Sequence, residues 1–305
     1  MSRPVESQPG SRRLTVRDLR VVAERPDGAF APLVEGVTFS VDAGEVVCLV
    51  GQSGCGKTAT VRAVTAVLDA RPGVVGGEVL HHPADAPPLS LYPPALASAL
   101  LDLGTSGALR AAHRARRHAE SRFAPLRGRA VFTVFQNSQT SLSPFHSVQA
   151  SLLLAAARGG HAPLRAERRE HCLGWLNAVG FERPAAFLEK LPSELSGGEA
   201  KRVAIAQALA AGARLLIADE PTTGLDPTLR VTIRDLLGGL KSRGLGVLLI
   251  THGLGLFHRI ADTVHVMTNG RIVESAASDA FFRPPGPSHP YSRRLLAAEA
   301  PEVTP

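Results

Sequence analysis

Lysine is scarce in this 305-residue chain: Lys57, Lys190, Lys201 and Lys241 are the whole set, so arginine supplies most of the formal charge of +7. A basic surface suits nucleic acid or anionic lipid headgroups, and charge alone does not choose between them. Cysteine is also sparse. Cys48, Cys55 and Cys172 are odd in number and match no metal or redox spacing, which excludes a secreted disulfide scaffold and points to a reducing compartment. Long apolar runs are missing: no stretch of roughly 18 such residues occurs, so no segment is expected to span a bilayer, and membrane contact would go through partners. Residues 1–20 are polar and basic with no apolar centre, so no signal peptide is expected.

What remains is the composition of a folded globular protein, 44% hydrophobic and 20% charged. The length is large for one core and short for two full domains. One large α/β domain with a smaller subdomain and a tail fits best. Residues 1–13, rich in Ser, Pro and Gly over their first ten, are expected to be disordered. Strands are expected at 14–22 and 33–41 around a turn-rich hairpin, and at 45–50, 130–135, 214–218 and 244–250. Helical patterns cover 59–68, much of 144–191, 199–211 and 227–240. Residues 260–267 and 270–274 form a hairpin about Asn269-Gly270, a strong turn signal. Strands alternating with helices imply a mostly parallel sheet covered on both faces. Residues 81–129 read as a surface excursion with one or two helices, closing on a basic run that includes Arg114, Arg116, Arg117, Arg122, Arg127 and Arg129. Those arginines are either a solvated face or a contact for lipid headgroups or a partner.

Gly51-Gln52-Ser53-Gly54-Cys55-Gly56-Lys57-Thr58 follows an apolar strand and precedes a helix starting near Ala59. This is the phosphate-loop pattern. Its glycines let the backbone curl and aim N–H groups inward, and the helix adds its own free N–H groups and positive end. Lys57 is placed to reach the β- and γ-phosphates, and Thr58 to offer its hydroxyl to Mg²⁺. A glycine-rich turn that binds nothing is the competing reading, and the flanking strand and helix weigh against it. Leu215 to Ala218 then leads into Asp219-Glu220-Pro221. Asp219 is a candidate Mg²⁺ ligand and Glu220 a candidate general base. Neighbours on a strand face opposite ways, so the two carboxylates serve one site only if the chain bends there. An exposed Asp-Glu-Pro turn is the competing reading, and Lys57 argues against it.

With these motifs the chain resembles the ATP-binding subunits of ABC transporters over about residues 14–274. Leu195-Ser196-Gly197-Gly198-Glu199 is similar to the family's signature sequence. Gln136 stands where the family's Q-loop glutamine lies, Gly224-Leu225-Asp226 is similar to its D-loop, and His252 matches its switch histidine. Phe135-Gln136 followed by Thr140-Ser141-Leu142-Ser143-Pro144, and the tail residues His289-Pro290-Tyr291-Ser292, resemble the oligopeptide, dipeptide and nickel importer group. The resemblance implies a P-loop NTPase fold of ABC type: a mostly parallel sheet core, an N-terminal antiparallel β subdomain and an inserted helical subdomain at about 144–195. The ATPase domain would span 14–280, with the unusual insertion at about 81–129 and an importer-type tail at 281–305.

The resemblance further implies ATP and Mg²⁺ as ligands, with Thr58, Gln136 and Asp219 around the metal. Lys57, Gln136, Glu220 and His252 would be catalytic, and Asp226 would communicate across a dimer. The implied partners are a second cassette, in this group often non-identical, two transmembrane permease subunits and an extracytoplasmic substrate-binding protein, with no nucleic acid. The implied place is the cytoplasmic face of a bacterial membrane. The transported solute, a peptide, nickel or a metal chelate, is not legible.

Three positions depart from the family pattern. Glu199 replaces the usual Gln, at a helix start where a negative charge is favourable by about 0.3–1 kcal/mol. Gly253 replaces the usual Asp after the switch histidine. No adenine-stacking aromatic is obvious. Phe30, the one aromatic between Met1 and Gly36, is either that residue or an ordinary hairpin residue. Two other functions stay open: a regulatory cassette of an asymmetric transporter, and a soluble ABC ATPase acting on nucleic acid or ribosomes.

Overall fold

The computed structural model describes residues 12–84, 86–92, 106–135 and 142–299. Two sheets organise them. Strands β1 (Arg12–Glu24) and β2 (Phe30–Asp42) form an antiparallel hairpin, extended by β4 (Pro72–His81) and the short β5 (Leu89–Ser90) in the order β2-β1-β4-β5. The second sheet has the order β10-β9-β3-β8-β7-β6. Its members are β3 (Val46–Val50), β6 (Val131–Val134), β7 (Leu215–Asp219), β8 (Gly246–Thr251), β9 (Thr263–Thr268) and β10 (Arg271–Ala277). All its pairings are parallel except the closing β9–β10 hairpin.

A parallel sheet covered on both faces needs strands that are apolar throughout. All five residues of β3 are buried, and their alternation divides them between two cores. Val46, Cys48 and Val50 face a core shared with helices α3 (Val148–Gly159), α4 (Arg168–Ala178), α5 (Gly197–Ala210) and α6 (Pro227–Ser242). Val47 and Leu49 face a core shared with the N-terminal sheet, α1 (Lys57–Val64) and α2 (Ser106–Phe123). The sheet is thus the wall between two hydrophobic bodies, and its carboxyl edge is the place where loops gather.

The helical segment is organised by α5. Its Ala-rich sequence buries residues around most of its circumference, Val203, Ala204, Ile205, Ala206 and Ala208 among them. Small side chains let α3 and α4 approach closely, and Leu152, Leu176 and Leu188 fill the space between. Caps define α3 at both ends: Ser147 Oγ accepts the Ala150 N–H at 3.3 Å, and Gly160 closes the helix at φ 80°. Three short helices complete the chain: α7 (Leu254–Phe257), α8 (Ser278–Phe282) and α9 (Pro290–Glu299).

The structure corrects several expectations. β4 corresponds to no expected strand; it carries Pro72, Gly73, Gly76 and Gly77, yet Val74 and Val79 enter the core. The segment 81–129 is not purely a surface excursion. His81, Leu91 and Tyr92 are buried, and α2 seats Ala112, Ala115, Ala119 and Phe123 against the N-terminal body at helical spacing. The phosphate-loop helix ends at Val64, short of the expected Leu68. Thr65 donates its hydroxyl to the Val61 carbonyl at 2.8 Å, and Ala66 turns left-handed at φ 51°. Strand β1 starts at Arg12, inside the segment expected to be disordered.

Candidate nucleotide site

The loop from Gly51 to Gly56 leaves the carboxyl end of β3 and delivers the chain into α1. Its curl requires glycine at two places. Gly51 sits at φ 154°, and a Cβ there would lie 2.1 Å from the Met267 carbonyl; Gly56 sits at φ 110°, and a Cβ there would lie 2.5 Å from the Leu33 carbonyl. The walls that press on the loop are β2 and the β9–β10 hairpin. Gly270 of the hairpin turn donates its N–H to the Cys55 carbonyl at 3.0 Å, and Glu35 of β2 donates to the Gly270 carbonyl at 2.8 Å. The hairpin signal at Asn269-Gly270 was legible in sequence; its role as a buttress for this loop was not.

Lys57 is buried, and its ammonium donates to the carbonyls of Gly51 at 2.5 Å and Gln52 at 3.1 Å. Its charge is therefore held inside the curl. Gly54 carries φ 81°, and Gln52, Ser53, Gly54 and Thr58 are exposed. Cys55 is buried, and Ala59 half-buried. Gly56 caps α1 and, lacking a side chain, makes no cap bond to the first N–H groups of the helix. Free N–H groups at a helix start, one ammonium and an exposed Thr58 hydroxyl form an anion cradle.

Asp219 ends β7, and its backbone pairs beside Ile250 of β8. Its carboxyl is pushed above the ordinary aspartate range, first by burial and then by the neighbouring Glu220, against the pull of Lys57 and Arg62. Glu220 takes φ 51°, an uncommon value for a non-glycine residue. This is the bend that lets two successive carboxylates serve one site. Glu220 Oε2 lies 2.8 Å from His252 Nδ1 and accepts the Thr223 hydroxyl at 3.3 Å. His252 follows β8, and 65% of its side chain is exposed, so its ring is open to contact from outside the chain. The carboxyl ends of β3, β7 and β8 thus collect Lys57, Thr58, Asp219, Glu220 and His252. The donor set fits a triphosphate with a hard divalent cation: N–H groups and an ammonium for phosphate oxygens, hydroxyl and carboxylate oxygens for the metal.

The signature residues start α5. Leu195 and Gly198 are buried anchors, whereas Ser196 and Gly197 are exposed. Glu199 fits here better than its unusual identity suggests. Ser196 Oγ accepts the Glu199 N–H at 3.2 Å, and Glu199 Oε2 accepts the Ser196 N–H at 2.8 Å, a complete capping box. Behind it, buried Lys201 donates to the Thr223 carbonyl at 2.7 Å, tying α5 to the turn beyond Glu220. Burial holds the Lys201 ammonium below its ordinary range, with Glu220 pulling the other way. Sequence reasoning passed over this lysine. Its signal was a Lys, beside Arg202, at the start of an Ala-rich helix.

Asp226 is exposed and caps α6, accepting the Leu229 N–H at 3.0 Å. Gly253 caps α7 without a side-chain bond and donates its own N–H to Thr251 Oγ1 at 3.0 Å. Phe30 is the half-buried first residue of β2, opposite Glu24, three residues before the Leu33 carbonyl that touches the loop. Gln136 lies outside the described residues. A second contact absent from the sequence expectation comes from the tail: the Gln52 N–H donates to Tyr291 Oη at 3.0 Å.

The family model for ABC transporters matches residues 34–223, and the chain belongs to that family. It is 38% identical over 292 residues to the peptidoglycan transport ATP-binding protein YejF of Agrobacterium fabrum, covering 94% of this chain and 47% of that protein. It is 33% identical over 291 residues to the oligopeptide transport ATP-binding protein OppD of Bacillus subtilis, covering 94% of this chain and 72% of that one. The chain therefore spans about half the length of the first relative and most of the second. Among solved structures, the dimeric ATP-binding cassette MJ0796 bound to ADP and phosphate matches with a TM-score of 0.65 at 21% identity, covering 87% of this chain and 98% of that one. That likeness speaks for the fold. The chain is an ATP-binding subunit of ABC transporter type, similar to proteins named for peptidoglycan and oligopeptide transport.

Proposed function

We propose that this chain drives uptake of peptides, nickel or a metal chelate as one of two nucleotide-sandwiching cassettes on the cytoplasmic face of a bacterial membrane. The observation that carries the chemistry is the convergence of Lys57, Asp219, Glu220 and His252 at the carboxyl edge of one sheet. Lys57 and the loop N–H groups hold the terminal phosphates and meet the charge that spreads over the transferred phosphoryl. Thr58, Asp219 and Gln136 would hold Mg²⁺, which when bound neutralises the phosphate oxygens. Glu220 accepts the proton of the attacking water as oxygen bonds to the γ-phosphorus and the bond to the β-phosphate oxygen breaks, releasing ADP. His252 steadies Glu220 Oε2 through its Nδ1, and in the imidazolium form its other ring nitrogen also donates, to the γ-phosphate.

The second cassette completes each site. Ser196 accepts a bond inside its own capping box, so its hydroxyl hydrogen stays available to an outside acceptor. Ser196 and Gly197 are exposed at a helix N-terminus, which suits a phosphate held by the partner. Asp226 would lie at the same junction. Phe30 is the adenine-stacking candidate. A groove of about 430 Å³, lined by Phe132, Phe135, Leu142, Leu154, Arg127 and Arg158, is our choice for the contact with a permease subunit. Phe135, at 37% exposed, and Leu154, at 43%, add apolar surface to its lining.

The test is reconstitution with two permeases, a binding protein and the second cassette in liposomes. ATP-dependent accumulation of a peptide or of chelated nickel is expected. Mg-ATP hydrolysis that rises with RNA and ignores permeases would overturn the transport reading.

A further inference from the structure

The chain after β10 folds back on the nucleotide site, and one carboxylate holds the return. Glu274 of β10 accepts the Ser288 N–H at 2.6 Å and the Ser288 hydroxyl at 2.8 Å through Oε1, and the His289 N–H at 3.2 Å through Oε2. This anchoring sets the start of α9. There Tyr291 donates its own N–H to His289 Nδ1 at 3.2 Å. Further along α9, Leu295 and Leu296 pack on the core that contains Leu254 and Phe257 of α7, the helix that follows His252. The tail therefore touches the switch segment with its apolar face and the phosphate loop with one hydroxyl.

That hydroxyl accepts the Gln52 N–H at 3.0 Å. The consequence follows from the peptide bond. In a trans peptide the C=O and the N–H point in opposite directions. The Gly51 carbonyl of this peptide faces inward and accepts the Lys57 ammonium, while the Gln52 N–H faces outward to Tyr291. The plane is pinned from both sides. Gly51 has its φ at 154°, where few side chains settle, so the residue itself gives this plane little resistance to rotation. We infer that Tyr291 is a positioning residue for the nucleotide site: its hydroxyl fixes the Gly51–Gln52 peptide and, through the Gly51 carbonyl, the Lys57 ammonium that meets the phosphates. The inference rests on the reading of this loop as the ATP site.

The test uses the full chain with Mg-ATP. Tyr291→Phe keeps the ring and its packing and removes only the acceptor. Loss of one such bond lowers affinity about three- to tenfold. Lys57 meets both the bound phosphates and the charge that spreads in transfer, so the equilibrium Kd for Mg-ATP is expected to rise, and phosphate release by the complete complex is expected to fall at least as far. Tm is expected to hold. Glu274→Gln loosens the anchor and is expected to raise Kd in the same direction. The double variant is expected to be no weaker than the worse single one, because both act through one contact. Unchanged affinity in Tyr291→Phe overturns the inference, as does a fall in Tm with Kd intact. A wild-type chain that binds no Mg-ATP sinks the ATP reading itself, which separates the two failures.

Discussion

Replacing Glu220 with Gln removes one negative charge and one proton-accepting oxygen and leaves the shape almost unchanged. Glu220 Oε2 lies 2.8 Å from His252 Nδ1 and takes the Thr223 hydroxyl at 3.3 Å; a Gln amide oxygen accepts both as well. The left-handed backbone at φ 51° is also retained, and it costs Gln no more than Glu. Local geometry should therefore survive. What disappears is the proton acceptor. General-base assistance is worth about 10²- to 10⁴-fold, or roughly 3–5 kcal/mol of barrier. Binding should hold or tighten, since a carboxylate near the triphosphate is lost. The assay is steady-state phosphate release beside equilibrium Mg-ATP binding, with the partner cassette's own site disabled in a mixed complex. Release within tenfold of wild type at unchanged binding would refute the role given to Glu220. Loss of binding would refute the claim that its contribution is confined to the chemical step.

Other consequences are equally open to measurement. Gly56→Ala places a Cβ 2.5 Å from the Leu33 carbonyl at φ 110°; a cost of about 1–3 kcal/mol in stability and loss of Mg-ATP binding are expected by thermal melting and calorimetry. Ser196→Ala breaks half of the capping box and should cost about 0.5–2 kcal/mol, read as a lower Tm, whereas Glu199→Gln should keep the box and most of the stability. Asp219 has its carboxyl raised by burial and by Glu220, so its ionisation in the folded chain opposes stability once pH climbs past its unfolded value of 3.8 and through the higher folded one. Asp219→Asn should then raise Tm at neutral pH while weakening Mg-ATP binding; a lowered Tm would contradict this account.

Glu274 shows the opposite sign. Burial opposes its ionisation, but the hydrogen bonds from Ser288 and His289 hold its carboxyl below the ordinary range. Its contribution is complete above the unfolded value of 4.5 and fades as pH falls through the lower folded value. Proteolysis of the tail should quicken across that acid window in wild type, and Glu274→Gln should lose this pH dependence.

Much of the cluster at the strand ends was legible because each part is a short pattern with a local cause. An apolar run followed by glycines and Lys57 needs no knowledge of distant residues. The Asp219-Glu220-Pro221 sequence required a bend, and the structure supplies it as the left-handed Glu220. The Asn269-Gly270 turn behaved as its residue types dictate, with both residues at positive φ. Local patterns failed where a strand is held by its neighbours. β4 carries a proline and three glycines, and it exists because β1 pairs with it along its length and its valines find a core. The insertion looked like a solvated basic run because arginines outweigh alanines to the eye. Ala112, Ala115, Ala119 and Phe123 nevertheless repeat at helical spacing and are enough to bind α2 to the N-terminal body.

The amino-acid order by itself determined the alternation of apolar strands and helices, the phosphate loop, the paired carboxylates and the signature cap, since each depends on spacing within about ten residues and on side-chain chemistry. Tertiary structure alone decided which distant groups meet. It brought Tyr291 onto the Gln52 N–H, Gly270 onto the Cys55 carbonyl, Lys201 onto the Thr223 carbonyl and His252 onto Glu220. The physical reason is that such contacts follow from strand order and helix packing, which fix where chain ends converge, and a linear pattern carries no record of that convergence.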